Sequence, residues 1–253
     1  MTAHFFALFG NAPERTIMKC FMKNTPWEGW ERLMMTTPNH IPRGGGSTIL
    51  NRFRYKSEDV DCQYCTEYHH RKCMSPKCFW LEERMEAGAV NYPMLVAECF
   101  RTLKDYVLVS RIQDVVSDRD SIQWTGFLHE QRLSFWRTYL TQKAMRIIDY
   151  DQLAILYLLT AWDGLWRLSQ PHLIDMVSTS DPDFVSCKAG LPEDMLLKAI
   201  RSICGKKAGI TLAELKDKEL VSDETLRLII NAALICRYGQ AIFLMKDDTD
   251  QND

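Results

Sequence analysis

Long hydrophobic runs are missing from the 253 residues. None approaches the ~18–20 apolar residues that a membrane-spanning helix needs. The apolar opening from Ala3 to Phe9 is short and has no basic segment ahead of it. The expectation is a cytoplasmic protein, neither secreted nor embedded in a membrane. Charge of one sign is not in surplus either: 31 Lys+Arg stand against 33 Asp+Glu, a formal net charge of −2, so no global positive field draws the chain onto nucleic acid. Any such binding has to be local. Strand-period alternation is scarce and no repeat of fixed period occurs, which leaves an all-α class and excludes a repeat array. The hydrophobic share of 46% excludes a disordered or fibrous chain and supports one generous domain or two small ones.

Cysteine, by contrast, is plentiful. The nine cysteines form an odd set, which argues against a complete disulfide framework. Cys20, Cys99, Cys187, Cys204 and Cys236 are scattered among apolar neighbours and read as small core residues. Cys62, Cys65, Cys73 and Cys78 fall together with the spacing C-x2-C-x7-C-x4-C. A C-x2-C pair turns back so that both thiolates face one ion, and the second pair closes a tetrahedron. Four soft thiolates favour zinc, and a closed sphere leaves no position for substrate, so the expected cofactor is a structural zinc. Three alternatives stay open: an iron–sulfur cluster on the same cysteines, a redox dithiol at Cys62 and Cys65, and a sphere in which His69 or His70 replaces one cysteine.

Basic residues flank this cluster. Arg52, Arg54 and Lys56 precede it with Phe53 and Tyr55 interleaved, and Arg71, Lys72 and Lys77 lie inside it. Cations alternating with rings suit phosphates and unpaired bases, so Arg52, Arg54, Lys56, Arg71 and Lys72 are candidate nucleic-acid contacts. The same cations would also neutralise the roughly two negative charges of a four-thiolate zinc, and Glu58, Asp59, Asp61 and Glu67 share the stretch.

The chain divides by composition into an N-terminal arm (1–50), a zinc-binding module (51–90), a helical domain (91–246) and an acidic tail (247–253). The arm is rich in Pro, Gly, Met and aromatics and ends at the glycines 44–46, a flexible joint. Within it, Trp27, Trp30 and Met34 share one side of a short helix and are the candidate partner-binding residues, with packing inside the same chain as the plainer reading. The helical domain reads as a multi-helix, bundle-like body. Helices are expected from Leu81 to Gly88, from Pro93 to about Val116 with Tyr92, Leu95, Cys99, Leu103 and Tyr106 as its stripe, and from Phe127 to Ile148 with Leu128, Phe135, Tyr139 and Ile147 among its apolar positions. Gln152 to Leu168 is apolar around most of its circumference and is expected to be central. Pro192 opens a helix to Cys204, a Thr211/Glu214 capping box opens another, and Ser222 caps a helix closed by Gly239.

Catalytic patterns fail one by one. His129-Glu130-Gln131-Arg132-Leu133 has Leu where a zinc-protease helix needs its second His, and Gly205-Lys206-Lys207 lacks the upstream glycine and the following hydroxyl of a phosphate loop. The base-deaminase signature, the nucleophile elbow and the dinucleotide fingerprint are also missing. Catalysis assembled from distant residues stays open.

Arg54 to Cys65, followed by Cys73, Cys78 and Leu81-Glu82-Glu83-Arg84, resembles cysteine-rich accessory proteins encoded on integrative conjugative elements of Gram-positive bacteria. The specific likeness covers about residues 52–100, and the His69-His70 region departs from it. The resemblance implies a bacterial cytoplasmic protein that helps a mobile element persist. The combined expectation is a non-enzymatic, zinc-stabilised protein of a mobile element that engages a macromolecular partner, with inhibition of a host defence nuclease as the preferred form. The alternative is a nucleic-acid-binding accessory for transfer or regulation of the element.

Overall fold

A computed structural model describes residues 22–31, 55–70, 72–73, 75, 77–119, 121–144, 149–173 and 191–244. They fall into two compact units that part between Asn91 and Tyr92. Helix dominates, and among the described residues strand is confined to one two-residue pair.

In the larger unit every regular element among the described residues is helical. Its helices are α2 (Tyr92–Cys99), α3 (Tyr106–Val116), α4 (Phe127–Ala144), α5 (Tyr150–Thr160), α6 (Asp163–Ser169), α7 (Leu191–Ile203), α8 (Leu212–Lys216) and α9 (Asp223–Tyr238); α1 (Leu81–Glu86) belongs to the smaller unit. Helix α9 is the central element. It packs on α2, α3, α5 and α7, and every residue from Leu228 to Tyr238 is buried. Together with the 3-10 turn Gly239–Leu244 it is long and apolar enough to cross a membrane, yet 83% of its apolar window is buried within the protein, as in a core helix. Helix α5, its main neighbour, buries eight consecutive residues from Leu153 to Thr160.

The capping signals explain where these helices start. The Asp149 carboxylate accepts from the Tyr150 N–H at 2.7 Å while Gln152 Oε1 accepts from the Asp149 N–H, a reciprocal box that satisfies otherwise orphaned donors. Thr211 and Glu214 form a second box, and the Ser222 hydroxyl caps α9. At the far end of α9, Gly239 takes φ 68°, and a Cβ there would meet the Tyr150 ring at 2.4 Å.

Two expected long helices are each broken in two. The segment read as one helix from Pro93 to Val116 stops at Cys99 and restarts at Tyr106, where the Asp105 carboxylate caps it by accepting from the Leu108 N–H at 3.2 Å. A new cap resets the helical phase, so Tyr106 is 87% exposed while Leu108, Ile112 and Val116 are buried. The segment Gln152–Leu168 breaks at Trp162, which precedes α6 in extended conformation. In α4 the buried face holds His129, Leu133 and Trp136, whereas Leu128 and Phe135 are exposed.

Buried polar groups cross-link this core. The Tyr92 hydroxyl donates to Asn231 Oδ1 at 2.5 Å, Asn231 Nδ2 donates to the Tyr157 hydroxyl at 2.9 Å, and that hydroxyl donates to the Gln123 carbonyl. Arg111, 5% exposed, donates to the Leu215 and Val221 carbonyls and to Asp223, tying α3 to the connection between α8 and α9. Paired this way, polar groups in a low-dielectric core fix relative helix positions.

Candidate metal and partner-binding site

The smaller unit carries the four clustered cysteines. Asp61 opens a 3-10 turn, Cys62–Tyr64, with its carboxylate accepting from the Gln63 N–H at 2.9 Å. The Cys65 N–H then donates to the Cys62 carbonyl at 3.0 Å, and the Tyr68 N–H to the Cys65 carbonyl at 3.0 Å. Two turns in succession curl the C-x2-C pair back on itself. Strands β1 (Tyr68–His69) and β2 (Lys72–Cys73) follow as an antiparallel hairpin with Tyr68 opposite Cys73. His70 enters the turn at φ 49°, the left-handed conformation of a two-residue hairpin loop. His69 and His70 are both exposed at its tip. Cys78 lies just before α1, and Arg84 on that helix, 6% exposed, donates from Nη1 to Cys78 Sγ at 3.6 Å.

Cys65 feels the other three thiols. Burial above all, with smaller contributions from charge on Cys73, Cys78 and Cys62, pushes the Cys65 thiol up to about 11. Cys65 and Cys78 also pack against the same small core of Met22, Val60 and Trp80. Even so, among the described residues no three His, Cys, Asp or Glu side chains are placed so that they could hold an ion. The four thiols lie in one small unit without forming a set placed to hold an ion. Their donor set suits zinc, because a dication removes the mutual repulsion that burial amplifies.

The described part of the arm joins this unit. Residues 28–31 are helical. Glu31, 1% exposed, accepts from the Met22 N–H at 2.6 Å and from the Tyr55 hydroxyl at 3.1 Å, which fastens residues 22–31 to the cysteine segment. Trp27 and Trp30 nevertheless stand 53% and 61% exposed. Beside them is a cavity of about 350 Å³ lined by Met22, Trp27, Trp30, Glu31, Tyr55, Glu58, Asp59 and Tyr64.

The candidate residues thus separate. Trp27 and Trp30 border one cavity, and Met34 lies outside the described residues. Arg52, Arg54 and Arg71 also lie outside them, as does the Lys72 side chain, and Lys56 is exposed beside Glu58 and Asp59. Phe79 is 41% exposed and Trp80 buried in the small core. Of the scattered cysteines, Cys99 and Cys236 are buried and Cys204 is half-buried. Sequence reasoning missed the cavity's Tyr55, Tyr64, Glu31, Glu58 and Asp59 as a set, and it missed Arg84. The available signal was weak: aromatic and acidic residues interleaved from 53 to 67, read there as charge balance.

Comparison with known protein families, with characterised proteins and with solved structures finds no match for this chain.

Proposed function

We propose that the protein is a non-enzymatic binding protein whose smaller unit is held by a structural zinc on Cys62, Cys65, Cys73 and Cys78 and docks a protein partner through Trp27 and Trp30. The observation that carries this reading is the exposure of two indoles beside a cavity, while the third indole of the unit's described residues, Trp80, is buried. Indoles are costly to leave in water, and they are over-represented among the anchors that carry interface binding energy. Four thiols carried by a turn, a hairpin and a helix start support the zinc, since a unit with so small an apolar core gains folding free energy from a metal. The likeness to mobile-element accessory proteins makes a host defence nuclease the partner class to try first.

Two measurements test the reading. Elemental analysis of tag-free protein should give about one zinc per chain with no visible absorption, and a chelator should lower the melting temperature. Iron, or no metal, removes the zinc. Affinity capture at high salt, with Trp27→Ala/Trp30→Ala protein in parallel, should retain a protein partner on the wild type alone. Retention of nucleic acid that fades steeply with salt would instead favour the alternative role in transfer or regulation.

A further inference from the structure

The lining of the cavity is specific in its chemistry. Met22 and four aromatic side chains, Trp27, Trp30, Tyr55 and Tyr64, make its lining mostly apolar, three acidic residues, Glu31, Glu58 and Asp59, border it, and among the described residues no Lys, Arg or His lines it. An apolar occupant would gain from the rings but would draw nothing from the acidic residues at the border. A phosphate-bearing occupant would meet repulsion from three negative groups. A cation gains from both sets: ring faces attract it through their quadrupoles within ~6 Å, and nearby carboxylates add charge attraction in a recess of reduced dielectric.

From this we infer that the cavity receives a cationic side chain, a lysine ammonium or arginine guanidinium, presented by the protein partner. This rests on the smaller unit being the partner-binding face. The volume of about 350 Å³ is at the small end of ligand pockets and suits one side chain. The site is also built. Glu31 is buried and held by the Met22 N–H and the Tyr55 hydroxyl, so its charge and the Tyr55 ring are fixed before a ligand arrives. The Asp59 carboxylate accepts from the Lys56 N–H at 2.9 Å, which sets the turn carrying Glu58. Tyr64 sits inside the C-x2-C turn, so the cysteine cluster positions one wall.

The test uses the full-length, metal-loaded chain and three small probes matched in shape: N-acetyl-lysine methylamide, its trimethyl-lysine counterpart and the neutral norleucine counterpart, at constant ionic strength. Indole N–H signals of Trp27 and Trp30, assigned through Trp27→Phe and Trp30→Phe, report binding by NMR. Both cationic probes should shift these signals and bind roughly tenfold more tightly than norleucine. Glu58→Gln, at an exposed position, should narrow that preference without changing the rest of the spectrum. Equal shifts from the norleucine probe overturn the cation preference while leaving the binding face intact. Shifts from cytidine monophosphate but not from the lysine probes overturn it in favour of nucleic acid. No shift from any probe overturns both this inference and the docking role of the face.

Discussion

Replacing Arg84 by Met is expected to weaken zinc binding at the proposed four-cysteine site about 10–30-fold while the helices stay folded. Arg84 is 6% exposed on α1 and donates to Cys78 Sγ at 3.6 Å. With zinc on four thiolates the cluster carries about two net negative charges, and a buried guanidinium at one sulfur offsets part of that charge. A hydrogen bond to a charged acceptor contributes ~1.5–3 kcal/mol. The long donor–sulfur distance places this one in the lower part of the range, and at ~1.4 kcal/mol per tenfold the expected loss follows. Loss of an outer-shell partner at other metal sites has an effect of the same size. Met keeps the aliphatic stem that packs in the unit. Competition against a chromophoric zinc chelator at neutral pH gives the affinity, and circular dichroism checks the fold. Arg84→Lys should fall between the two, because it keeps the charge with a single shorter donor. A folded Arg84→Met protein whose zinc affinity lies within twofold of wild type would refute the reasoning, since Cys78 could not then be a thiolate ligand neutralised by this arginine.

Three further expectations concern the larger unit, with Gly88 of the smaller unit as a control for the last. His129 is 2% exposed, with Nδ1 accepting from the Thr125 N–H and Nε2 donating to the Tyr157 carbonyl; burial lowers its pKa to about 4, so the unfolded chain takes up a proton below about 6.5 that the folded one refuses. Stability is therefore full above pH 6.5 and should fall by about 3 kcal/mol between pH 6.5 and 4; denaturant titrations of wild type and His129→Gln across that range should show the extra slope only in the wild type. Arg111→Met leaves the Leu215 and Val221 carbonyls without a buried donor and should cost about 3 kcal/mol, read as a melting point lower by roughly 6–12 °C; a change under 2 °C would contradict the assigned role. Gly239→Ala forces a Cβ onto the Tyr150 ring at φ 68° and should destabilise by more than about 2 kcal/mol, whereas Gly88→Ala, with open space around it at the same φ, should cost only the backbone strain of about 1 kcal/mol.

Which parts of this fold can be read without coordinates follows from how local their causes are. The Thr211/Glu214 box, the Ser222 cap and the Gly205 and Gly239 stops are decided within a few residues, and each appears where the sequence places it. The buried face of α4 is decided by something else. Leu128 and Phe135 are the more apolar residues, but His129 finds two backbone partners inside, one of them on α5, and that tertiary pairing turns its face inward. Periodicity weighs apolarity and cannot register a polar side chain satisfied by a distant segment. The same limit explains the single stripe drawn through Phe100–Asp105: its spacing ran on in phase, while the Asp105 cap broke the helix.

The site divides along the same line. Thiol spacing is a local signal, so Cys62, Cys65, Cys73 and Cys78 stand out as a set, and the turn and hairpin that carry the first three span only 62–73. The cavity draws on 22–31 and on 55–64, and its anchor, the contact between Glu31 and Tyr55, joins residues 24 apart with no shared motif. Tyr64 belongs to both. It lies between two proposed zinc ligands, lines the cavity and packs on Met22, Val60 and Trp80. If zinc closes the turn that carries Tyr64, a cation seated against that ring stabilises the metal-bound arrangement, and linkage makes the effect mutual: zinc strengthens cation binding by the same factor that the cation strengthens zinc binding. Titrating the lysine probe against zinc-loaded and chelator-treated protein measures one side of that cycle, and titrating zinc with and without the probe measures the other. A factor near one on both sides would mean that zinc and the cation do not share the wall that Tyr64 forms.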